Sequence, residues 1–134
     1  KKTVDPKVYK LTFTITGYMR DEKEQEETIE RQLQARVFGQ GTRDTPIMLE
    51  VTPIMDLPVF SINGVAERGI TIKNLSKDTT IYIDGMSGLV TENGQNKFND
   101  VVLFEFPHLQ PGEQTITFSE NVCNVKIKYY PMWM

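Results

Sequence analysis

The sequence predicts an all-β chain folded as a β-sandwich or jelly roll, and three observations carry that prediction. From Pro46 onward, short segments rich in β-branched and aromatic residues alternate apolar and polar with period two. Turn signals separate them at regular intervals: Pro53, Pro58, Asn93-Gly94 and Pro111-Gly112. So many one-sided strands cannot all bury their apolar face in a single sheet, whereas two facing sheets can.

Taken in order, the first element is Tyr9–Thr16. Tyr9, Leu11, Phe13 and Ile15 point one way and Lys10, Thr12, Thr14 and Thr16 the other, which is the pattern of a half-buried strand after a turn at Asp5-Pro6. Arg20–Phe38 differs. It is rich in strong helix formers and lacks Pro and Gly; Ile29, Leu33 and Val37 recur at i, i+4 and i+8, and Glu27 can pair with Arg31. Propensity therefore favours one short helix near residues 22–37, against a charged surface strand and loop. The acidic run Asp21–Glu27 reads as a solvated face. Gly39-Gln40-Gly41-Thr42 breaks the pattern and divides the chain into 1–38, a strand plus a charged helical or loop segment, and 39–134, the β-sandwich domain.

Within the second part the expected strands are Pro46–Thr52, Val59–Asn63, Gly69–Asn74, Thr79–Asp84, Val101–Phe106, Gln114–Ser119 and Asn124–Tyr130. Pro53 and Pro58 bracket a crossing or an edge, because proline cannot donate to a central ladder. Asn93-Gly94 marks a hairpin, since both positions tolerate positive φ.

Composition bounds the function. At 134 residues the chain suits one domain that buries about two-thirds of its unfolded surface without a disulfide or metal. A net charge of −3 argues against nucleic acid as the main partner. No apolar run approaches the roughly 18 residues of a membrane-spanning helix, and no signal peptide is evident. The chain begins at Lys1, as a fragment or processed chain would. Cys123 has no cysteine to pair with and reads as a small core residue.

Candidate chemistry is sparse. His108, between Pro107 and Leu109, has no flanking motif for a Ser-His-Asp or Cys-His site, and reads as a turn residue. Asp84, Glu92, Asn93, Asn96, Asn99 and Asp100 form an oxygen-rich stretch without the ligand spacing of a strong calcium loop; Asx-turns account for it better. No phosphate-binding glycine motif occurs. The chain reads as a non-enzyme with no cofactor and no metal. The candidate contact residues are aromatic. Alternation places Tyr82 outward if Ile81 and Ile83 face in, Tyr129 inward and Tyr130 outward, and Trp133 closes the chain. Exposed aromatics on a sandwich serve protein contact, edge cover or a glycan platform, in that order of expectation.

The ordered motifs resemble the C-terminal half of the distal tail protein of long-tailed, siphovirus-type bacteriophages. They run from Gly41-Thr42-x-x-Thr45-Pro46 through Gly69–Asn74, Ile81–Asp84, Gly88-Leu89-Val90 and Asn93-Gly94. They continue with Phe106-Pro107-x-Leu109-x-Pro111-Gly112-Glu113-x-Thr115-Ile116 and end at Val125-x-Ile127-x-Tyr129-Tyr130-Pro131-x-Trp133. The resemblance covers about Gly39–Met134. Gln114 and Met132 stand where the family pattern has Asn and a basic residue. It implies a galectin-like β-sandwich and a structural role at the tail tip or baseplate, in a virion assembled in the bacterial cytoplasm. It further implies protein–protein contacts with neighbouring tail or receptor-binding proteins. The full-length parent would be a ring oligomer through an N-terminal domain of which 1–38 is a remnant, leaving this chain monomeric or weakly associated. The alternative is a carbohydrate-binding module that recognises host cell-surface glycans through Tyr82, Tyr130 or Trp133.

Overall fold

The computed structural model describes residues 19–20 and 24–133, with side chains over 24–131. The expected strand Tyr9–Thr16 lies outside the described residues. The described residues form two antiparallel sheets packed face to face, with one short 3-10 turn among them, η1 (Phe98–Asp100).

The six-stranded sheet runs β10 (Gln95–Asn96), β9 (Leu89–Glu92), β8 (Ile81–Asp84), β5 (Met48–Pro53), β14 (Cys123–Tyr129), β2 (Gln25–Glu30). The five-stranded sheet runs β11 (Val101–Leu103), β7 (Ile70–Leu75), β6 (Leu57–Asn63), β13 (Gly112–Phe118), β3 (Gln34–Gly39). Two short pairs complete the fold: β1 (Met19–Arg20) with β15 (Met132–Trp133), and β4 (Thr45–Pro46) with β12 (His108–Leu109).

Alternation sends one set of side chains into the space between the sheets. Leu49, Val51, Ile81, Ile83, Val125, Ile127 and Tyr129 come from one sheet, and Phe60, Ile62, Ile70, Ile72, Ile116 and Phe118 from the other; all are buried in one cluster. Phe60 and Phe118 stack at 5.9 Å. Tyr129 buries its ring but keeps its hydroxyl satisfied: it donates to Phe38 O at 3.3 Å and accepts from Gln40 N at 3.2 Å.

The favoured helix over 22–37 is overturned within its described part. Those residues form β2 and β3, joined through Arg31 at φ 48°. Each completes one sheet, β2 against β14 and β3 against β13. The physical reason is burial. A lone helix with a narrow Ile29–Leu33–Val37 stripe gains little, whereas as strands Ile29 and Val37 enter the core from the two sheets; Leu33 is left 54% exposed at the turn. The expected division between 38 and 39 falls inside β3.

The turn chemistry matches the sequence. Asn93 and Gly94 carry φ of 54° and 74° in a two-residue loop between β9 and β10, where Glu92 faces Gln95. The Pro53–Pro58 segment is the crossing from the six-stranded sheet to the five-stranded one. The strand expected over Val101–Phe106 ends at Leu103, and Phe104–Glu105 bend away from the sheet.

Candidate functional site

Tyr82 and Tyr130 were the sequence's first candidates. Tyr82 sits on β8 between fully buried Ile81 and Ile83 and is 38% exposed on the outer face of the six-stranded sheet. Tyr130 follows β14, where alternation puts it on that same face, and it is half-buried. Tyr82 registers through Glu50 to Lys126, four residues before Tyr130. Two strands across and four residues along separate the rings by about 16 Å, too far for one sugar ring to touch both. Trp133 lies in β15, paired with Met19; its side chain is outside the described residues.

Near Tyr82 the outer face is polar. Thr28, Glu50, Thr52, Thr80, Asn124 and Lys126 line a shallow cleft. The Thr52 and Thr80 hydroxyls are 2.7 Å apart, and Lys128 Nζ donates to Glu50 Oε2 at 2.8 Å, which holds the ammonium above its ordinary pKa. Asn124 Oδ1 is buried there without a partner among the described residues.

A different region gathers more apolar surface. β10 and β11 end their sheets on the same lateral side of the sandwich, and η1 joins them. On β9, Val90 turns into the core and therefore turns Leu89 out, leaving it 58% exposed. Phe98 heads η1 at 45% exposed and stacks on Phe106 with ring centroids 6.3 Å apart. With Gly88, Val90, Thr91 and Asn96 these side chains line a groove of about 360 Å³. Beyond it, Val102 and Phe104 are more than half exposed, and the Arg68 guanidinium lies 4.6 Å from the Phe104 ring centre.

Lys97 anchors this edge. It is only 8% exposed, and its Nζ lies 2.9 Å from Asn74 O, 3.2 Å from Glu92 Oε1 and 3.3 Å from Asp100 Oδ2. These oxygens belong to β7 of one sheet, β9 of the other, and η1. One ammonium thus ties both sheets together beside Phe98. Its backbone N–H donates to Val90 O at 2.9 Å, and Asn96 Oδ1 accepts from Phe98 N at 2.7 Å. Four residues of the oxygen-rich stretch, Asp84, Glu92, Asn96 and Asp100, are accounted for in this way. Glu92 and Asp100 hold a lysine, while Asp84 Oδ1 accepts from Met86 N and Ser87 N in an Asx-turn. Leu89 and Phe106 stand in the sequence motifs and Lys97 and Phe98 do not, and none of the four is a site candidate on the sequence alone. The available signal was alternation, since an inward Val90 requires an outward Leu89.

His108 has carboxylates on both sides. Nε2 lies 3.2 Å from Glu105 Oε1, and Nδ1 lies 3.7 Å from Asp44 Oδ2, beyond hydrogen-bonding reach. The Glu105 carboxyl is held below its ordinary pKa, chiefly by the Glu67 backbone N–H it accepts at 2.7 Å and then by His108. Cys123 is in the core, and burial pushes its thiol up to about 12, so it is not a thiolate nucleophile at neutral pH.

Residues 40–133 match a protein family described as the siphovirus-type tail component, C-terminal domain. Among solved structures the fold is similar to that of the SPP1 Dit protein, presented as a paradigm of the hub adsorption apparatus in phages infecting Gram-positive hosts. The TM-score is 0.70 at 8% sequence identity, covering 84% of this chain and 48% of the other. The chain thus spans about half the length of that protein. A comparison with curated proteins gives no match.

Proposed function

The chain belongs to the siphovirus-type tail component family, of which residues 40–133 carry the C-terminal domain, and from that premise we propose that it is a structural module of the phage tail tip that works by protein–protein contact. The observation that carries this reading is the apolar edge formed by Leu89, Phe98 and Phe106, continued by Val102 and Phe104. Large side chains exposed together on a rigid scaffold are the usual core of a protein interface. The chemistry available elsewhere is modest: a buried thiol and a lone imidazole bracketed by carboxylates. The module therefore acts by holding a shape and presenting an edge to neighbouring tail or receptor-binding proteins in the virion. The folded unit is proposed to include residues from about 24, because β2 and β3 each complete a sheet.

Immunogold labelling of intact virions with an antibody to this chain tests the reading. Label at the distal end of the tail is the expected result. Label along the tube or on the capsid would overturn it.

A second reading, saccharide recognition on the outer face of the six-stranded sheet, is favoured by one observation. Asn124 Oδ1, without a partner among the described residues, lies in a cleft of hydroxyl, carboxylate and ammonium groups, of which Glu50 and Lys126 share the sheet row of exposed Tyr82. Binding to host cell-wall glycan that is lost in Tyr82→Ala but kept in Leu89→Ser would favour this reading over the first.

A further inference from the structure

We propose that the groove between β9 and η1 receives an apolar or aromatic side chain from an extended, basic segment of a neighbouring tail protein. This rests on the reading of the chain as a tail-tip contact module and names the contact.

The groove lining supplies the apolar part. Gly88, Leu89, Val90, Thr91, Asn96, Phe98 and Phe106 carry no formal charge, and the stacked Phe98 and Phe106 rings form one wall. Aromatic walls of this kind accept a side-chain anchor at little entropic cost, because each ring fixes only two torsions.

Charge selects a basic partner. Asp84 is the cross-strand neighbour of Leu89, Glu92 ends β9, Asp100 closes η1 and Glu105 precedes Phe106. Against these four carboxylates stand two bases, Lys97, whose ammonium lies between Glu92 and Asp100, and Arg68 over Phe104, which leaves the surroundings of the groove at −2. A lysine or arginine flanking the anchor meets a net negative rim, which speeds encounter and fixes orientation.

The sheet edges select an extended backbone. Among the described residues, β10 and β11 are the last strands of their sheets, and their outer backbone groups have no strand partner there. A segment in β conformation can use them while its side chain fills the groove. The Lys97 tie between the two sheets fixes the groove before the partner arrives, which lowers the ordering cost of binding.

Titrating the isotopically labelled full chain with two capped heptapeptides, TKVFVKT and TEVFVET, while recording amide shifts tests this. The basic peptide should move the amides of Leu89, Val90, Phe98 and Phe106, and should bind at least about 10-fold more tightly than the acidic one at low salt. That advantage should shrink in ~0.5 M salt. Leu89→Ser, a change at an exposed position, should abolish the shifts and leave the rest of the spectrum intact. Equal binding of the two peptides, shifts centred elsewhere, or no shifts at millimolar peptide would overturn the proposal. If the virion label still marks the tail tip in that case, the contact named here is wrong and the tail-tip reading stands. A label elsewhere would remove that reading itself.

Discussion

Single residues set the local energetics. Lys97 is the most consequential, because three oxygen partners from two sheets meet one nearly dry ammonium. Lys97→Met keeps the length of the side chain but leaves Glu92 and Asp100 uncompensated. Removing one partner of a fully buried pair costs about 3–5 kcal/mol; Asp100 is 37% exposed here, so a loss nearer 2–3 kcal/mol is expected in chemical denaturation. An unchanged midpoint would remove the clamp. Glu105 gives a pH signature. Its folded pKa is depressed, so its contribution is present above the ordinary value of 4.5 and is lost as pH falls through the folded value. Melting temperatures should place the native chain above Glu105→Gln near neutrality, and the two should converge in acid. A constant offset across pH would count against the Glu67 N–H and His108 contacts as the cause.

At the level of elements, the segment Arg20–Phe38 shows how tertiary burial overrides local propensity. Its residues favour helix, yet β2 and β3 close opposite sheets at one edge of the sandwich. A synthetic peptide of residues 20–38 should therefore show helical circular dichroism, strengthened by trifluoroethanol, although Gln25–Glu30 and Gln34–Gly39 are strands in the whole chain. A peptide with no helical tendency would mean that its sequence already preferred β. Edge strand β2 carries exposed Glu26, Glu27 and Glu30, with exposed Glu24 just before it, the kind of charged edge that discourages strand addition by another copy. The opposite edge has carboxylates too, at Asp84, Glu92, Asp100 and Glu105, but sets Leu89, Phe98, Val102 and Phe104 in the open beside them. Leu33 and Phe38 are exposed at the β2–β3 edge as well, so the element-level reason to place the partner contact at the β9–η1 edge is its groove, walled by the stacked Phe98 and Phe106 rings.

For the molecule as a whole, one core joins both sheets, and it draws on strands from both sides of residue 39. The outer face of the six-stranded sheet is polar, and one lateral edge is acidic. Large apolar side chains are exposed at the β9–η1 edge, at Leu89, Phe98, Val102 and Phe104, and also away from it, at Leu33, Phe38, Met55 and Val59. The isolated chain is expected to scatter light as a monomer at micromolar concentration, with weak association at most. A stable hexamer would show that this domain drives ring formation.

The sequence alone determined the all-β class, the hairpin turn at Asn93-Gly94 and the inward set of β8 and β14, and it narrowed the Pro53–Pro58 segment to a crossing or an edge. All of these follow from period-two alternation and from backbone constraints that act within a few residues. The order of motifs was also legible, and with it the family. Only the tertiary structure decided that residues 25–39 are strands, since the benefit of burying Ile29 and Val37 exists only once β14 and β13 are in place. The same holds for the site. Tyr82 was read correctly as outward. The groove needed Leu89 on β9, Phe98 on η1 and Phe106 beyond β11 to meet at one edge, with Lys97 between two sheets. Proximity of that kind depends on which strands lie last in each sheet, and alternation along a single strand carries no information about it.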